Sequence, residues 1–315
     1  MATYKEINGT AVQNVAGDPS NPIIGEVWYN SSTAAFKIRR IAQVASWATG
    51  NNLNTSRNSS GGAGTQTAAL AFGGMPTGIN ATEQYNGTNW TSVAPMNNTI
   101  SKLGSAGTQT SALGFGGIPT GSPTNQTESY NGTNWTVVNP LNTARYLLAG
   151  VGASNTAALA FAGGNPYSSA TELWNGTNWN TVNTMNSARK ALAGAGDSTA
   201  ALAFGGTAPG ALTETWNGTN WTAVNTMNTG RADIGGAGTQ TSALAFGGNP
   251  VQATTESWNG TNWTTVSSLN SAREEPGGAG VSNTSALAFG GGPPYYATEE
   301  WSEGPASVTQ TITTS

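Results

Sequence analysis

Residues 64–74 read Gly64-Thr-Gln-Thr-Ala-Ala-Leu-Ala-Phe-Gly-Gly74, and variants of this stretch return five more times along the 315-residue chain. In the copy at 156–163, Leu159 and Phe161 fall on one face of a strand, and small alanines fall on the other. A bulky face and a small face on one strand suit sheets that pack against each other. The aligned leucines, spaced 42–46 residues apart, are Leu70, Leu113, Leu159, Leu202, Leu244 and Leu287.

A second repeated block, Trp174-Asn-Gly-Thr-Asn-Trp179, places an aromatic residue on each side of a turn signal. Asn-Gly between two strands predicts a hairpin with a type I′ turn. Each repeat then contains four short strands, here called a to d, with the double glycine ending strand b. Four strands in a period of 40–50 residues are typical of propeller blades. The sequence therefore predicts an all-β fold, a six-bladed β-propeller.

The last repeat lacks a fourth strand of its own after Trp301. The segment Ser46–Arg57 matches strand d of the other repeats and the segment that leads from strand d to the next repeat, which we call the exit. It is therefore expected to complete the last blade and to close the propeller without an open edge. The predicted domains are an N-terminal attachment arm at 1–43, the propeller at 44–302 and a Ser/Thr-rich C-terminal tail at 303–315.

The composition argues against nucleic-acid binding, membrane insertion and most kinds of catalysis. With 11 Lys and Arg and a net charge of −4, the chain has no basic stripe for nucleic acid. No apolar run is long enough to span a membrane, and no secretory signal pattern is visible at the N-terminus. Because Cys and His are absent, thiolate chemistry, the usual general base and the commonest metal ligand are missing. We expect no enzymatic activity, no catalytic or metal-binding residues and no cofactor.

The order of Gly163-Gly164, Trp174, Trp179 and Arg189 resembles the kelch motif, and the resemblance covers about residues 44–302. Kelch units occur in galactose oxidase, but its copper site needs His ligands and a Cys-linked Tyr, which this chain lacks. The amino-acid sequence of the repeats is also similar to that of kelch-type proteins of marine bacteriophages. A hairpin-like element at 18–37 is similar to one near the start of phage tail proteins.

The phage resemblance implies a virion structural protein, such as a tail fibre or a surface-displayed component, that is assembled in the host cytoplasm. It implies contacts with other virion proteins through the arm, a multi-copy assembly, and host attachment through a surface glycan or protein. Two other functions stay open. One is a free glycan- or protein-binding propeller, either lectin-like or a scaffold. The other is a hydrolase with carboxylates on the axis, for which Glu274-Glu275 is the off-repeat candidate.

Each repeat carries one Glu before the strand c aromatic residue and one base at the blade exit. Because the pattern occurs six times, we expect structural ion pairs rather than an active site. The glutamates are Glu83, Glu128, Glu172, Glu214, Glu256 and Glu299, and the bases are Arg57, Lys102, Arg145, Arg189, Arg231 and Arg273.

The b–c loops differ in length and content, whereas the a–b and c–d turns hardly vary. Loops that vary over a rigid scaffold often carry function, although drift on a neutral surface would look the same. The candidate ligand face comprises Tyr146, Tyr167, Tyr295 and Tyr296. The repeated tryptophans could stack on sugars, but their recurrence favours a place in the blade core.

The arm contains one more hairpin signal, at Gly25–Lys37, with Val27 and Tyr29 on one face and Trp28 on the other. A short hairpin is marginal alone. We therefore expect Trp28 and Tyr29 to be contacts with another subunit.

Overall fold

A computed structural model describes residues 12–76, 79–164, 166–207 and 210–312. The predicted arm and tail extend to residues 1–11 and 313–315, which lie outside the described residues. The described part consists of strands, turns and loops, and it contains no helix that could cross a membrane. The all-β prediction is therefore confirmed.

The strands are short, and most have four to six residues. Numbered in chain order they are β1 Gln13–Val15, β2 Val27–Asn30, β3 Ala35–Gly50, β4 Gly61–Gly64, β5 Ala69–Phe72, β6 Thr82–Tyr85, β7 Trp90–Val93, β8 Gly104–Thr108, β9 Ser111–Phe115, β10 Thr127–Tyr130, β11 Trp135–Val138, β12 Ala149–Ser154, β13 Ala157–Phe161, β14 Thr171–Trp174, β15 Trp179–Val182, β16 Ala193–Gly196, β17 Ala201–Phe204, β18 Thr213–Trp216, β19 Trp221–Val224, β20 Gly235–Gly238, β21 Ala243–Phe246, β22 Thr255–Trp258, β23 Trp263–Val266, β24 Gly277–Ser282, β25 Ser285–Phe289 and β26 Thr298–Thr311.

Each repeat forms an antiparallel sheet in which neighbouring strands follow each other in sequence. Five sheets have the order a-b-c-d, namely β4–β7, β8–β11, β12–β15, β16–β19 and β20–β23. The remaining sheet has the order β1-β2-β3-β26-β25-β24, in which β1 and β2 are parallel. Repeated four-stranded antiparallel sheets of this kind are a propeller-like architecture, as the sequence predicts.

The N-terminal and C-terminal parts of the chain meet in the six-stranded sheet. β3 is the neighbour of β26, which is the pairing predicted for Ser46–Thr49. Trp47 takes the place of a strand d tryptophan, because its ring centroid lies 5.4 Å from that of Trp301, as Trp179 lies 5.4 Å from Trp174. β26 continues to Thr311, so much of the segment described as a tail is part of a strand.

The chain divides into two compact units, Met1–Ser46 with Glu303–Ser315 and Trp47–Ser302. We call them the arm unit and the repeat unit. The first strand of each repeat is built from small residues because it lies under a phenylalanine. At Gly61, an added Cβ would lie 2.5 Å from Cε2 of Phe72 in the same sheet, which is too close for any side chain.

Neighbouring sheets of the repeat unit are joined by the same buried contact at each boundary. The ring of Trp179 packs 4.9 Å from that of Phe115 in the preceding sheet, and its Nε1 donates to Oγ1 of Thr127 at 3.0 Å. The equivalent donor and acceptor pairs are Trp47–Thr255, Trp90–Thr298, Trp135–Thr82, Trp221–Thr171 and Trp263–Thr213. A buried indole N–H therefore has a partner at each boundary.

The c–d turns differ from the type I′ turns that Asn-Gly predicts. Gly176 has a φ of +92°, whereas Asn175 and Thr177 have no positive φ. A type I′ turn needs positive φ at both central residues, and glycine at the first central position fits type II′. Oδ1 of Asn175 accepts the backbone N–H groups of Thr177 and Asn178 at 3.0 and 2.8 Å. The asparagine thus stabilises the turn through its side chain.

Candidate functional site

Five of the six predicted Glu–base pairs are present as buried ion pairs. In one of them, Arg145 Nη2 donates to Glu172 Oε1 at 2.9 Å, and Arg145 Nη1 donates to the carbonyl oxygens of Ala162 and Ala170. The other oxygen, Oε2 of Glu172, accepts the backbone N–H of Asn142 at 2.7 Å. The five pairs are Arg57–Glu83, Arg145–Glu172, Arg189–Glu214, Arg231–Glu256 and Arg273–Glu299.

These pairs fasten the exit of one sheet to strand c of the next. Burial lowers the pKa of each of the five arginines, and the neighbouring glutamate opposes that shift by favouring the charged form. The carboxylates are at most 2% exposed and their oxygens are bonded within the protein. They therefore have no free oxygen for a substrate.

Lys102 is not the partner of Glu128, and this part of the prediction is wrong. The carbonyl of Ile100 accepts the N–H of Gly74 as that of Arg145 accepts the N–H of Gly117, so Ile100 occupies the exit position of this repeat. Lys102 lies two residues further along. Glu128 instead accepts four hydrogen bonds of 2.8–3.0 Å, from the backbone and side-chain amides of Asn97 and Asn98.

Lys102 belongs to a group of six residues, one from the exit of each repeat, which we call the axial ring. Each has a φ between +51° and +59°. The backbone N–H of each ring residue donates to the carbonyl of the ring residue in the neighbouring repeat, at 2.8–3.1 Å. The bonds pass in order through Ser59, Lys102, Leu147, Ala191, Asp233 and Glu275 and return to Ser59.

A cavity of about 220 Å³ lies inside the axial ring. Its walls are the ring residues and the six inner strands, β4, β8, β12, β16, β20 and β24. The wall strands expose mainly main-chain atoms and alanine methyl groups, because their residues are small. The chemical character of the opening therefore depends on the ring side chains.

Four consecutive ring side chains are polar, and the other two are apolar. Asp233, Glu275, Ser59 and Lys102 follow one another, and Leu147 and Ala191 complete the ring. Ser59 Oγ donates to Glu275 Oε2 at 2.6 Å. Among the described residues, Lys102 has no carboxylate within ion-pair distance and the carboxylate of Asp233 has no hydrogen-bond donor. Two half-buried charges therefore remain without a protein partner.

Asp233 titrates far from the usual range of an aspartate. Partial burial is the largest cause, and the nearby carboxylates of Glu275 and Glu274 add to it, which together raise its pKa to about 6. The charges of Lys102 and Lys190 oppose this shift with smaller effects. The cavity opening therefore has a negative local potential on the side of Asp233.

Charge in the repeat unit is concentrated on one surface, the exit face. It is formed by the blade exits and the b–c loops, which lie side by side through isolated bridges such as Asn58↔Met75 and Ser168↔Arg189. Outside the Glu and Arg positions of the repeat, the unit has seven charged residues. They are Lys102, Lys190, Asp233, Glu274 and Glu275 on the exits, Asp197 in an a–b turn and Glu300 on β26.

Two of the predicted ligand-face tyrosines come together beside the axial ring. Nζ of Lys190 lies 5.4 Å from the ring centroid of Tyr146 and 5.3 Å from that of Tyr167. Tyr167 is 46% exposed, and Tyr295 and Tyr296 are 45% exposed on the b–c loop of the last repeat. The repeated tryptophans are at most 6% exposed, so they offer no surface for a sugar.

The arm hairpin is present, but Trp28 is not an assembly contact. β2 pairs with β3 so that Val27 faces Ile38 and Tyr29 faces Phe36. Trp28 has no exposed surface, and its Nε1 donates to Asp18 Oδ1 at 3.1 Å. A side chain without exposed surface cannot contact another subunit, so this prediction is wrong. Tyr29 is partly buried and its ring packs 5.1 Å from Phe36.

The arm unit nevertheless exposes an unusual share of its large apolar residues. Half of the twelve exposed large hydrophobic residues in the described ranges belong to it, namely Ile23, Ile24, Phe36, Ile41, Val44 and Ile312. Sequence reasoning missed them because it favoured aromatic residues as anchors. The axial ring was missed because its six positions share a backbone conformation and not a residue type.

Within the described ranges, no group of three or more acidic residues is arranged to hold a metal ion. The sequence matches no protein-family model, and it matches no curated protein.

Proposed function

We propose that the repeat unit is a closed six-bladed propeller of the kelch type and that it acts as a non-enzymatic binding module. Two features support the closed ring. The backbone hydrogen bonds of the axial ring return to their starting residue, and the Trp–Thr bond recurs at six sheet boundaries. β3 supplies the fourth strand of the last blade, beside β26.

One observation carries the binding function: the contrast between the buried repeat residues and the exit face. The repeated glutamates and arginines are bonded within the protein, and the repeated tryptophans are buried. Off-repeat charges and exposed tyrosines collect on the exit face around a cavity. A rigid scaffold with varied chemistry on one face is the usual arrangement of a binding protein.

The module is proposed to be displayed on a bacteriophage particle, as a tail-fibre or other surface component present in several copies. The resemblance of the repeats to those of phage proteins motivates this setting. The exposed apolar residues described in the arm unit support an assembly role, because an interface with another protein would cover them. The arm unit would bind other virion proteins, and the exit face would bind a glycan or protein of the host surface.

The binding function is tested on an array of bacterial surface polysaccharides and whole cells. A variant with Tyr167→Ala and Lys190→Ala should lose at least about tenfold in affinity, because exposed aromatic and charged groups dominate such contacts. Val281→Ala shortens an exposed side chain on the inner strand β24 and serves as the matched control. Equal binding by both variants would remove the exit face as the binding surface.

The assembly role is tested in particles produced with variant chains. Ile23→Asp with Ile24→Asp places charges on two apolar residues that are 72% and 52% exposed, the highest values among the described residues of the arm unit. These particles should lack the protein, because the charges would be buried without partners in the interface. Val137→Asp, an equally exposed position in the repeat unit, should leave incorporation unchanged. Normal incorporation of the arm variant would refute attachment through this surface.

A carboxylate hydrolase remains the second candidate, and one observation favours it. Asp233 and Glu275 are neighbours in the axial ring, and the raised pKa of Asp233 is the environment of a general acid. If the protein cleaves an oligosaccharide that it binds, Asp233→Asn and Glu275→Gln should each abolish cleavage. If the oligosaccharide stays intact after prolonged incubation with the wild-type protein, the hydrolase is excluded and the binding function remains.

A further inference from the structure

The opening of the axial cavity presents charges of both signs, and among the described residues none of them has an oppositely charged partner within ion-pair distance. Asp233 and Glu275 are consecutive in the ring, Ser59 follows, and Lys102 comes next. The other two ring residues, Leu147 and Ala191, are apolar. A cavity of about 220 Å³ has room for only a small group.

The charged ring residues are not needed for the fold. Ser59, Leu147 and Ala191 take the same positive φ and make the same backbone hydrogen bonds as their charged counterparts. Asp233 also lies beside Glu275, and this repulsion between like charges is unfavourable. A charged side chain that stays at a cavity opening although it lowers the stability of the protein indicates a binding site.

We propose that the axial ring binds a small zwitterionic group, with its ammonium between Asp233 and Glu275 and its anionic oxygens at Lys102. This inference rests on the proposed binding function and names the chemistry that the exit face recognises. An ammonium would supply the counter-charge that the two carboxylates lack, through charge-assisted hydrogen bonds. Amino acids and aminoalkyl phosphates have this chemistry, and both occur as substituents of larger surface polymers.

The two apolar ring residues fit the same ligand. The short carbon chain between the two charges of such a group can lie against Leu147 and the methyl group of Ala191. An ion without a carbon chain would make no contact with these two residues. The ring therefore favours a zwitterion over an ammonium ion or a phosphate ion alone.

The first test uses the full-length wild-type protein and needs no variant. Calorimetric titrations at pH 7.5 and low salt compare O-phosphoethanolamine and alanine with ethanolamine and with inorganic phosphate. At least one zwitterion should bind. Ethanolamine and inorganic phosphate, which each carry charge of one sign only, should bind about tenfold more weakly or not at all. Absence of zwitterion binding, or equal binding of phosphate alone, overturns the proposal.

The second test assigns the two ends of the ligand. Asp233→Asn should weaken the zwitterion that binds by at least about tenfold, and Lys102→Gln should have a similar effect. Asn accepts a positive φ, so the first variant keeps the ring conformation. Asp197→Asn, in an a–b turn away from the blade exits, is the matched control and should bind normally. Full affinity in the Asp233 or Lys102 variant contradicts the assignment.

The outcome also separates this inference from the proposed function. If the protein binds surface polysaccharides and a tenfold excess of zwitterion over its dissociation constant does not compete, the inference fails and the binding function stands. If the zwitterion binds and no surface polymer or cell does, the inference stands and the proposed attachment role fails.

Discussion

Glu172 and Glu128 form a matched pair for measuring what the buried arginines contribute to stability. Glu172→Gln leaves Arg145 charged and only 1% exposed, with no counter-charge. Removing one partner of a buried ion pair costs about 3–5 kcal/mol. Glu128→Gln removes the same charge at the equivalent position, where the donors are the neutral amides of Asn97 and Asn98. Its cost should be about 1.5–3 kcal/mol, the value of hydrogen bonds to a charged group.

The difference of about 2 kcal/mol is measured by equilibrium unfolding in guanidinium chloride, followed by tryptophan fluorescence. Equal slopes of the transitions would show that both variants unfold the same surface. The double variant Arg145→Ile with Glu172→Gln should be closer to wild type than Glu172→Gln alone, because it removes the unpaired charge and copies the natural Ile100. Equal destabilisation of the two single variants, or a loss below about 1 kcal/mol for Glu172→Gln, would refute the structural role of the pairs.

Three further changes test other parts of the description. Asp233 has an ordinary pKa near 3.8 when unfolded and about 6 when folded, so its charge destabilises the protein above pH 6 and has no effect below pH 3.8. Asp233→Asn should therefore raise the free energy of unfolding at pH 8 by about 1–2 kcal/mol, after allowance for partial exposure, and a gain that persists at pH 3.5 would contradict this cause. Thr127→Val should cost about 1–3 kcal/mol in urea unfolding, because it leaves the buried N–H of Trp179 without its acceptor, and Thr199→Val, in an exposed turn, is the control. Deleting residues 1–57 should cause aggregation in light scattering, since it removes the strand beside β26, whereas a deletion of residues 1–46 keeps Trp47 and should remain soluble; equal solubility of both would refute the role of this strand.

Much of the fold could be predicted because one residue pattern is written six times. The alternation around Leu159 and the double glycine after Phe161 define strand b, and Trp174 and Trp179 place the two outer strands. Repetition also predicted that glutamates such as Glu172 would pair with exit arginines. The glutamate meets an arginine in five of the six repeats, so local sequence is enough there.

The candidate site could not be predicted in this way. The axial ring is made by backbone conformation, and its six side chains share no chemistry, from Ser59 to Glu275. The repeat pattern predicts Lys102 as the exit base because it is the base nearest to that position, but Ile100 holds the position. The sequence predicts Trp28 as a contact because the repeats have no place for it, but its side chain is buried beside Asp18.

The Trp–Thr bond at the sheet boundaries has a consequence for how such a chain can evolve. Every sheet offers the same threonine acceptor to one neighbour and the same indole donor to the other. Recombination between two repeats in the gene would therefore insert or remove a whole unit without leaving a donor or an acceptor unmatched. The residues that distinguish one repeat from another, such as Lys102 and Asp233, would travel with their unit. Shuffling units could thus alter ligand preference while the inter-sheet bonding stays intact.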